Sequence, residues 1–287
     1  NSRSSQLTAK DGTTFGNVSE ILFKFSNKTD SGLTIGYTVD LISDAGAATI
    51  DESSLSISGG FGTVILGQND NAAEDFGIGA KDILAEEQTP QDLSASIGGN
   101  ADIAVEDADL NKIQYKLPAM GGLTIGASYA DSGESPTVAT STDTTAFGAR
   151  YAMTAGETAV TIGVATATTE AATTDKDAQN MGVKVVNGNI TFALSQSEES
   201  SANDDINNMA VAVSYKMANG MTIGAYSFKS EDDLDTAEEY TSSGVELQYT
   251  VAAGLTAVIN VDDYEYTAAT TNAAGVMDGL ADSGTNS

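Results

Sequence analysis

The sequence predicts an all-β chain, an antiparallel up-and-down β-barrel that crosses a membrane with its strands. Three observations carry this. Apolar residues recur at every second position, as in Leu33, Ile35, Tyr37, Val39 and Leu41 or Met209, Val211, Val213, Tyr215 and Met217. A period of two gives a strand one apolar and one polar or small-residue face. The alternating segments come in pairs joined by turns rich in Gly, Asn or Asp. The two kinds of connection also differ: one set is short, the other longer, polar and acidic, which is the asymmetry of a membrane barrel.

The hairpins follow in order. Val18–Ser26 turns through Asn27–Gly32 into Leu33–Ile42, and Ser53–Gly59 turns at Gly60-Phe61-Gly62 into Thr63–Gln68. Lys112–Leu117 pairs with Leu123–Asp131, Thr144–Met153 with Thr158–Thr166, and Ala178–Val186 with Asn189–Glu198 through Asn187-Gly188. Asn207–Met217 pairs with Met221–Ser230, and Ser242–Val251 with Leu255–Asp263. Asn-Gly suits a two-residue hairpin because both central residues need positive φ. Fourteen strands result, in a single domain spanning residues 1–287. Their length matches the ~9–11 residues that cross a bilayer. Turn centres recur at a steady interval except between residues 61 and 120, where Asn69–Asn111 forms a much longer connection. Connections of that length are commonly functional or disordered. The other long connections are Ser132–Asp143, Ala167–Asp177, Glu199–Ile206 and Glu231–Tyr240.

Composition narrows the chemistry. Against 41 Asp and Glu stand 12 Lys and Arg, a net charge of −29 over 287 residues, so nucleic acid is not an expected partner. Without His or Cys there is no His-based triad, thiol nucleophile, disulfide or zinc-cysteine site. No apolar run is long enough for a membrane helix, and Asn1–Lys10 lacks the pattern of a signal peptide. Carboxylates, hydroxyls and amides remain. An enzyme is not forbidden by this composition, but most of its usual tools are missing; the pore reading below expects no cofactor and no enzymatic activity.

Four stretches carry a family resemblance. LFKFSNKTDSGLTIG (Leu22–Gly36) and LSISGGFGTVILGQ (Leu55–Gln68) resemble the early hairpins of Gram-negative trimeric general porins. GLTIGASY (Gly122–Tyr129) and GMTIGAY (Gly220–Tyr226) resemble their later strands. The resemblance implies a sixteen-stranded outer-membrane barrel, a homotrimer, and passive diffusion of ions and small hydrophilic solutes. It also implies that the long connection is the third outer loop, folded back into the barrel. On that alignment the first and last strands lie beyond Asn1 and Ser287, with Gly279–Ser287 reading as loop, so a fragment of a longer product is expected.

Candidate functional residues follow from strand phase and from the loop. Ile21, Phe23 and Phe25 face lipid, which turns Glu20, Leu22 and Lys24 inward. By the same alternation Lys112, Gln114, Lys116, Arg150, Lys184 and Lys216 line the lumen. Glu20, Lys24, Lys112, Lys116 and Arg150 are the expected pore-wall charges. In the long connection the resemblance makes Glu74, Asp75, Asp82, Glu86 and Glu87 the expected acids of a constriction, Lys81 being its only base. A transverse field between loop acids and wall bases biases ion passage, here toward cations. Tyr129, Tyr151, Tyr215, Tyr249 and Tyr264 suit an interfacial girdle. Two other readings fit the composition: a secreted, acidic β-rich adhesin or surface-layer protein binding Ca2+ at loops such as Glu231–Asp235, and a carboxylate-only hydrolase.

Overall fold

The computed structural model describes residues 18–44, 49–85, 110–131, 142–171, 174–202, 205–233, 239–253, 255–267 and 281–286. They form one antiparallel sheet in which each strand pairs with its chain neighbours, in the order β1 to β15. The strands are β1 (Val18–Lys28), β2 (Thr34–Asp44), β3 (Thr49–Gly59), β4 (Gly62–Gln68), β5 (Asn111–Lys116), β6 (Leu123–Asp131), β7 (Thr142–Ala155) and β8 (Thr158–Ala171). They continue with β9 (Lys176–Asn187), β10 (Ile190–Ser201), β11 (Asp205–Lys216), β12 (Met221–Asp232), β13 (Glu239–Ala252), β14 (Leu255–Thr267) and β15 (Ala281–Asn286). All fourteen expected strands are present in an up-and-down arrangement. At the short turns the glycines take up the positive φ that such tight reversals require, as at Gly188 (φ 57°).

Cross-strand register fixes the two faces. Phe25, Tyr37, Leu55, Leu66, Ile113 and Tyr129 stand opposite one another in succession, as do Lys24, Thr38, Ser54, Gly67, Lys112 and Ala130 one residue away. Exposure is inverted relative to a water-soluble protein. Ile113 is 50% exposed while its neighbour Gln114 is wholly buried, and Met181 is 58% exposed beside Asn180 at 3%. A continuous apolar outer face of this kind needs a solvent other than water. Lipid meets that need, and the sheet ladders satisfy the backbone groups that lipid cannot.

The strand boundaries differ from the sequence reading in two ways. Residues Ala281–Asn286, expected as loop, form β15 against Asp262–Thr267. Backbone pairing with an available strand edge does not depend on side-chain polarity. Several strands also run past the last apolar residue: β8 reaches Ala171 rather than Thr166, and β10 reaches Ser201 rather than Glu198. Hydrogen-bonded ladders continue above the membrane on Thr, Ser and Glu, where alternation of hydropathy has already ended. The connections 172–175 and 202–204 are therefore short. The length asymmetry rests chiefly on 69–110, 132–141 and 268–280.

Candidate functional site

The long connection leaves β4 and turns into the inner face. Its first turn is a short helix, α1 (Ala72–Phe76), started by Asn71, whose Oδ1 accepts from the amides of Ala73 (2.7 Å) and Glu74 (2.9 Å). A 3-10 turn at Lys81–Ile83 follows, with Asp82 Oδ2 accepting from the Gly79 amide at 3.0 Å.

Side chains on several strands hold the backbone of this segment. Ser128 Oγ on β6 accepts from the Ala72 amide (2.9 Å), and Ser195 Oγ on β10 accepts from Ala80 (2.9 Å). Glu246 Oε1 on β13 accepts from Ala85 (2.9 Å). Asn180 on β9 does both jobs at once: its Oδ1 accepts from the Ile78 amide at 3.0 Å and its Nδ2 donates to the Ile78 carbonyl at 3.3 Å. These bonds answer a general requirement, since a chain segment buried against a wall must have its amides and carbonyls paired.

Packing explains why the segment lies where it does. Phe76, Ile78 and Leu84 are buried apolar side chains inside a mostly polar lumen. Each sits where the wall has no side chain. Phe76 packs on Gly126 and Gly148, which are cross-strand partners; Ile78 packs on the partners Gly163 and Gly182; Leu84 packs on Gly224. A Cβ at Gly182 would stand 2.5 Å from the Ile78 carbonyl oxygen, and one at Gly163 2.6 Å from that of Phe76. Burying side chains of this size stabilises by about 1.5–3 kcal/mol each. Beyond the glycines, Ala80 and Leu84 join Ala193, Ala210, Ala212, Tyr226, Phe228 and Tyr240 in an apolar cluster, and the Lys81 ammonium lies 4.8 Å from the centre of the Phe228 ring.

The expected site residues fall into distinct environments. Asp75 meets the wall: its Oδ2 lies 2.6 Å from Lys116 Nζ and accepts from Gln114 Nε2 at 2.6 Å. Glu74 is half-buried and Asp82 exposed, while Glu86 and Glu87 lie outside the described residues. The Arg150 guanidinium reaches into the loop, donating from Nε to the Phe76 carbonyl (3.3 Å) and from Nη2 to that of Gly77. Lys112 is buried on β5 between Gly67 and Ala130. Glu20 and Lys24 sit on β1, facing Ile42 and Thr38 and remote in register from the loop seat. Lys184 shares the inner row with Thr161 and Ala193, and Lys216 with Thr222.

Tyr264 departs from the girdle expectation. It packs on the inner-face cluster and stacks on Tyr240 with ring centroids 6.4 Å apart. Its position is one residue out of phase with the outward Leu255, Ala257, Ile259 and Val261. Tyr129, Tyr151, Tyr215 and Tyr249 are exposed. The acidic stretch considered for Ca2+ is engaged otherwise: Glu231 pairs with Lys229 (2.6 Å), Asp232 accepts from the Asp205 amide (3.1 Å), and Asp233 accepts from Asn207 (2.9 Å). Asp235 lies outside the described residues. Among the described residues no group of three or more acidic side chains is arranged to hold a metal.

Sequence reasoning missed Ser128, Asn180, Ser195, Glu246 and the seat glycines. Their signal was present, as Gly, Ala, Ser and Asn concentrated at the inward phase of β6–β12.

Comparison with known proteins adds the following. The sequence profile described as Gram-negative porin matches residues 1–269. No curated protein matches the chain. Among solved structures, the anion-selective porin from Comamonas acidovorans is similar with a TM-score of 0.64 and 17% identity, covering 96% of this chain and 89% of that one. A variant of Rh. blastica porin has a TM-score of 0.61 at 18% identity, covering 97% and 92%. OmpT, an outer membrane protein of Vibrio cholerae in trimer form, has a TM-score of 0.61 at 15% identity, covering 92% and 93%. At these identities the solved structures speak for the fold.

Proposed function

The chain belongs to the Gram-negative porin family, and we propose that this channel of the bacterial outer membrane passes ions and small hydrophilic solutes by passive diffusion, with a modest preference for cations. The observation that carries the reading is the folded-in segment Asn71–Ala85, bonded along the inner wall by Ser128, Asn180, Ser195 and Glu246. A barrel of this class encloses a water-filled lumen wider than a small solute, and a segment laid across its wall sets the working bore. No covalent step is assigned to any residue. The Vibrio cholerae protein is recorded in a trimer form, and a homotrimer is the assembly proposed here.

Charge supports a modest preference rather than a strong one. The loop carries Glu74, Asp75 and Asp82 against Lys81, and the whole chain carries −29. Yet Lys116 neutralises Asp75, and the inner rows hold Lys24, Lys112, Arg150, Lys184 and Lys216 beside Glu20, Asp40 and Glu246. Cation enrichment at acidic mouths then does much of the selecting, and that field is screened within ~10 Å at 0.1 M salt and ~3 Å at 1 M. Reversal potentials under a KCl gradient in planar bilayers test this. The expected result is cation preference at 0.1 M that declines toward neutrality at 1 M; anion preference at low salt contradicts it.

A further inference from the structure

We propose that Asn180 is a positioning residue for permeation: its carboxamide, set beside the Gly163–Gly182 pair, fixes the height of the loop and through it the bore and ion preference. The inference rests on the channel reading above. Asn180 sits on β9 and is 3% exposed. It bonds to both polar groups of one loop peptide residue, the amide of Ile78 at 3.0 Å and its carbonyl at 3.3 Å. It thus pairs with the loop as a neighbouring strand would. Ser128, Ser195 and Glu246 each make one such bond. Arg150 also makes two bonds to the loop backbone, one each to the carbonyls of Phe76 and Gly77, whereas Asn180 engages the amide and the carbonyl of a single residue and so fixes it in two directions.

The surroundings remove the alternatives for Ile78. Gly163 and Gly182 stand directly opposite each other on β8 and β9. Both lack the Cβ that would collide with Ile78, and Gly182 would contact its Cβ at 2.6 Å. One residue earlier, Arg150 holds the Gly77 carbonyl. The segment Phe76–Ile78 is therefore confined by a guanidinium on one side and a carboxamide on the other, over a floor of glycine. Asp75, Lys81 and Asp82 flank this point, so a shift at Ile78 moves loop charge relative to Lys116 and the lumen water. Asn180 touches no permeating solute in this arrangement; it acts through the loop.

Single-channel recordings of Asn180→Leu, Asn180→Asp and the unaltered protein test the proposal. Asn180→Leu removes both bonds at similar volume. Asn180→Asp keeps the acceptor for the Ile78 amide and loses the donor. Time spent in conductance sublevels is expected to rise about tenfold in Asn180→Leu, the factor equivalent to ~1.4 kcal/mol, and less in Asn180→Asp. Thermal melting of the barrel should remain close to that of the unaltered protein. Because the chain has no Cys, a spin label at Ala85→Cys gives a second readout in detergent that does not depend on bilayer insertion: Asn180→Leu should increase its mobility. Unchanged sublevels, or unchanged label mobility should the variant fail to insert, overturn the positioning role. Absence of conductance in the unaltered protein would instead strike the channel reading itself.

Discussion

Two parts of the inner wall carry different chemistry although both belong to one sheet. The seat wall, β5–β13, is bald or buried: Gly126, Gly148, Gly163, Gly182, Ala193, Ala210 and Ala212 leave room for the loop, and Asn180 and Arg150 hold it. The hydroxyl wall, β2–β4, carries Thr34, Thr38, Ser54, Ser56, Ser58 and Thr63 at the same inward phase, all half-buried. The difference teaches what an inward position is for. Where the loop lies, side-chain volume is removed and polar groups are spent on its backbone. On the other wall, short hydroxyls line the inner face at little expense of bore.

Equal substitutions in the two walls should therefore have unequal outcomes. The largest contrast is expected for added volume. Gly182→Leu lifts Ile78 off its floor, and Ala212→Arg forces a charge under the apolar cluster around Leu84. Both should displace the loop and raise unit conductance by roughly two- to threefold, with noisy openings. Ser56→Leu adds bulk, and Thr38→Arg bulk and a base, beside water where no loop is seated, so conductance should fall modestly with quiet openings. Single-channel traces decide; the same direction of change in both walls would dissolve the distinction.

A smaller contrast is expected for charge. Arg150→Gln removes a base and also releases the Phe76 and Gly77 carbonyls, whereas Lys24→Gln removes a base alone. Both should shift reversal potentials toward cations, the first by roughly twice as much as the second. Equal shifts would mean that the Arg150 contacts to the loop have no bearing on selectivity.

Much of this was legible in the sequence, because strand phase is a direct consequence of the pleat. The alternation of Lys112, Gln114 and Lys116 with Ile113 and Tyr115 placed three inward residues before any coordinates, and the excess length of Asn69–Asn111 marked the loop. What alternation could not do was say where an inward side chain ends up. Arg150 and Lys116 read as wall charges, yet one is bonded to loop carbonyls and the other to Asp75. Those partners lie far away in sequence, 74 positions in the case of Arg150 and Phe76. Strand ends were misjudged for a related reason: hydropathy reports the membrane's thickness, while backbone pairing continues past it. Tyr264 was assigned by residue type when its parity against Val261 already turned it inward.

The measurement closest to the central claim, that the seated segment sets the bore, is replacement of Ala72–Ala85 by a short Gly-Ser linker, followed by paired recordings of unit conductance and reversal potential. Larger conductance together with weaker ion preference is expected, since the segment and its charges leave the lumen in one step. The same unit conductance and the same cation-to-anion ratio after replacement would mean that the segment does not limit the channel.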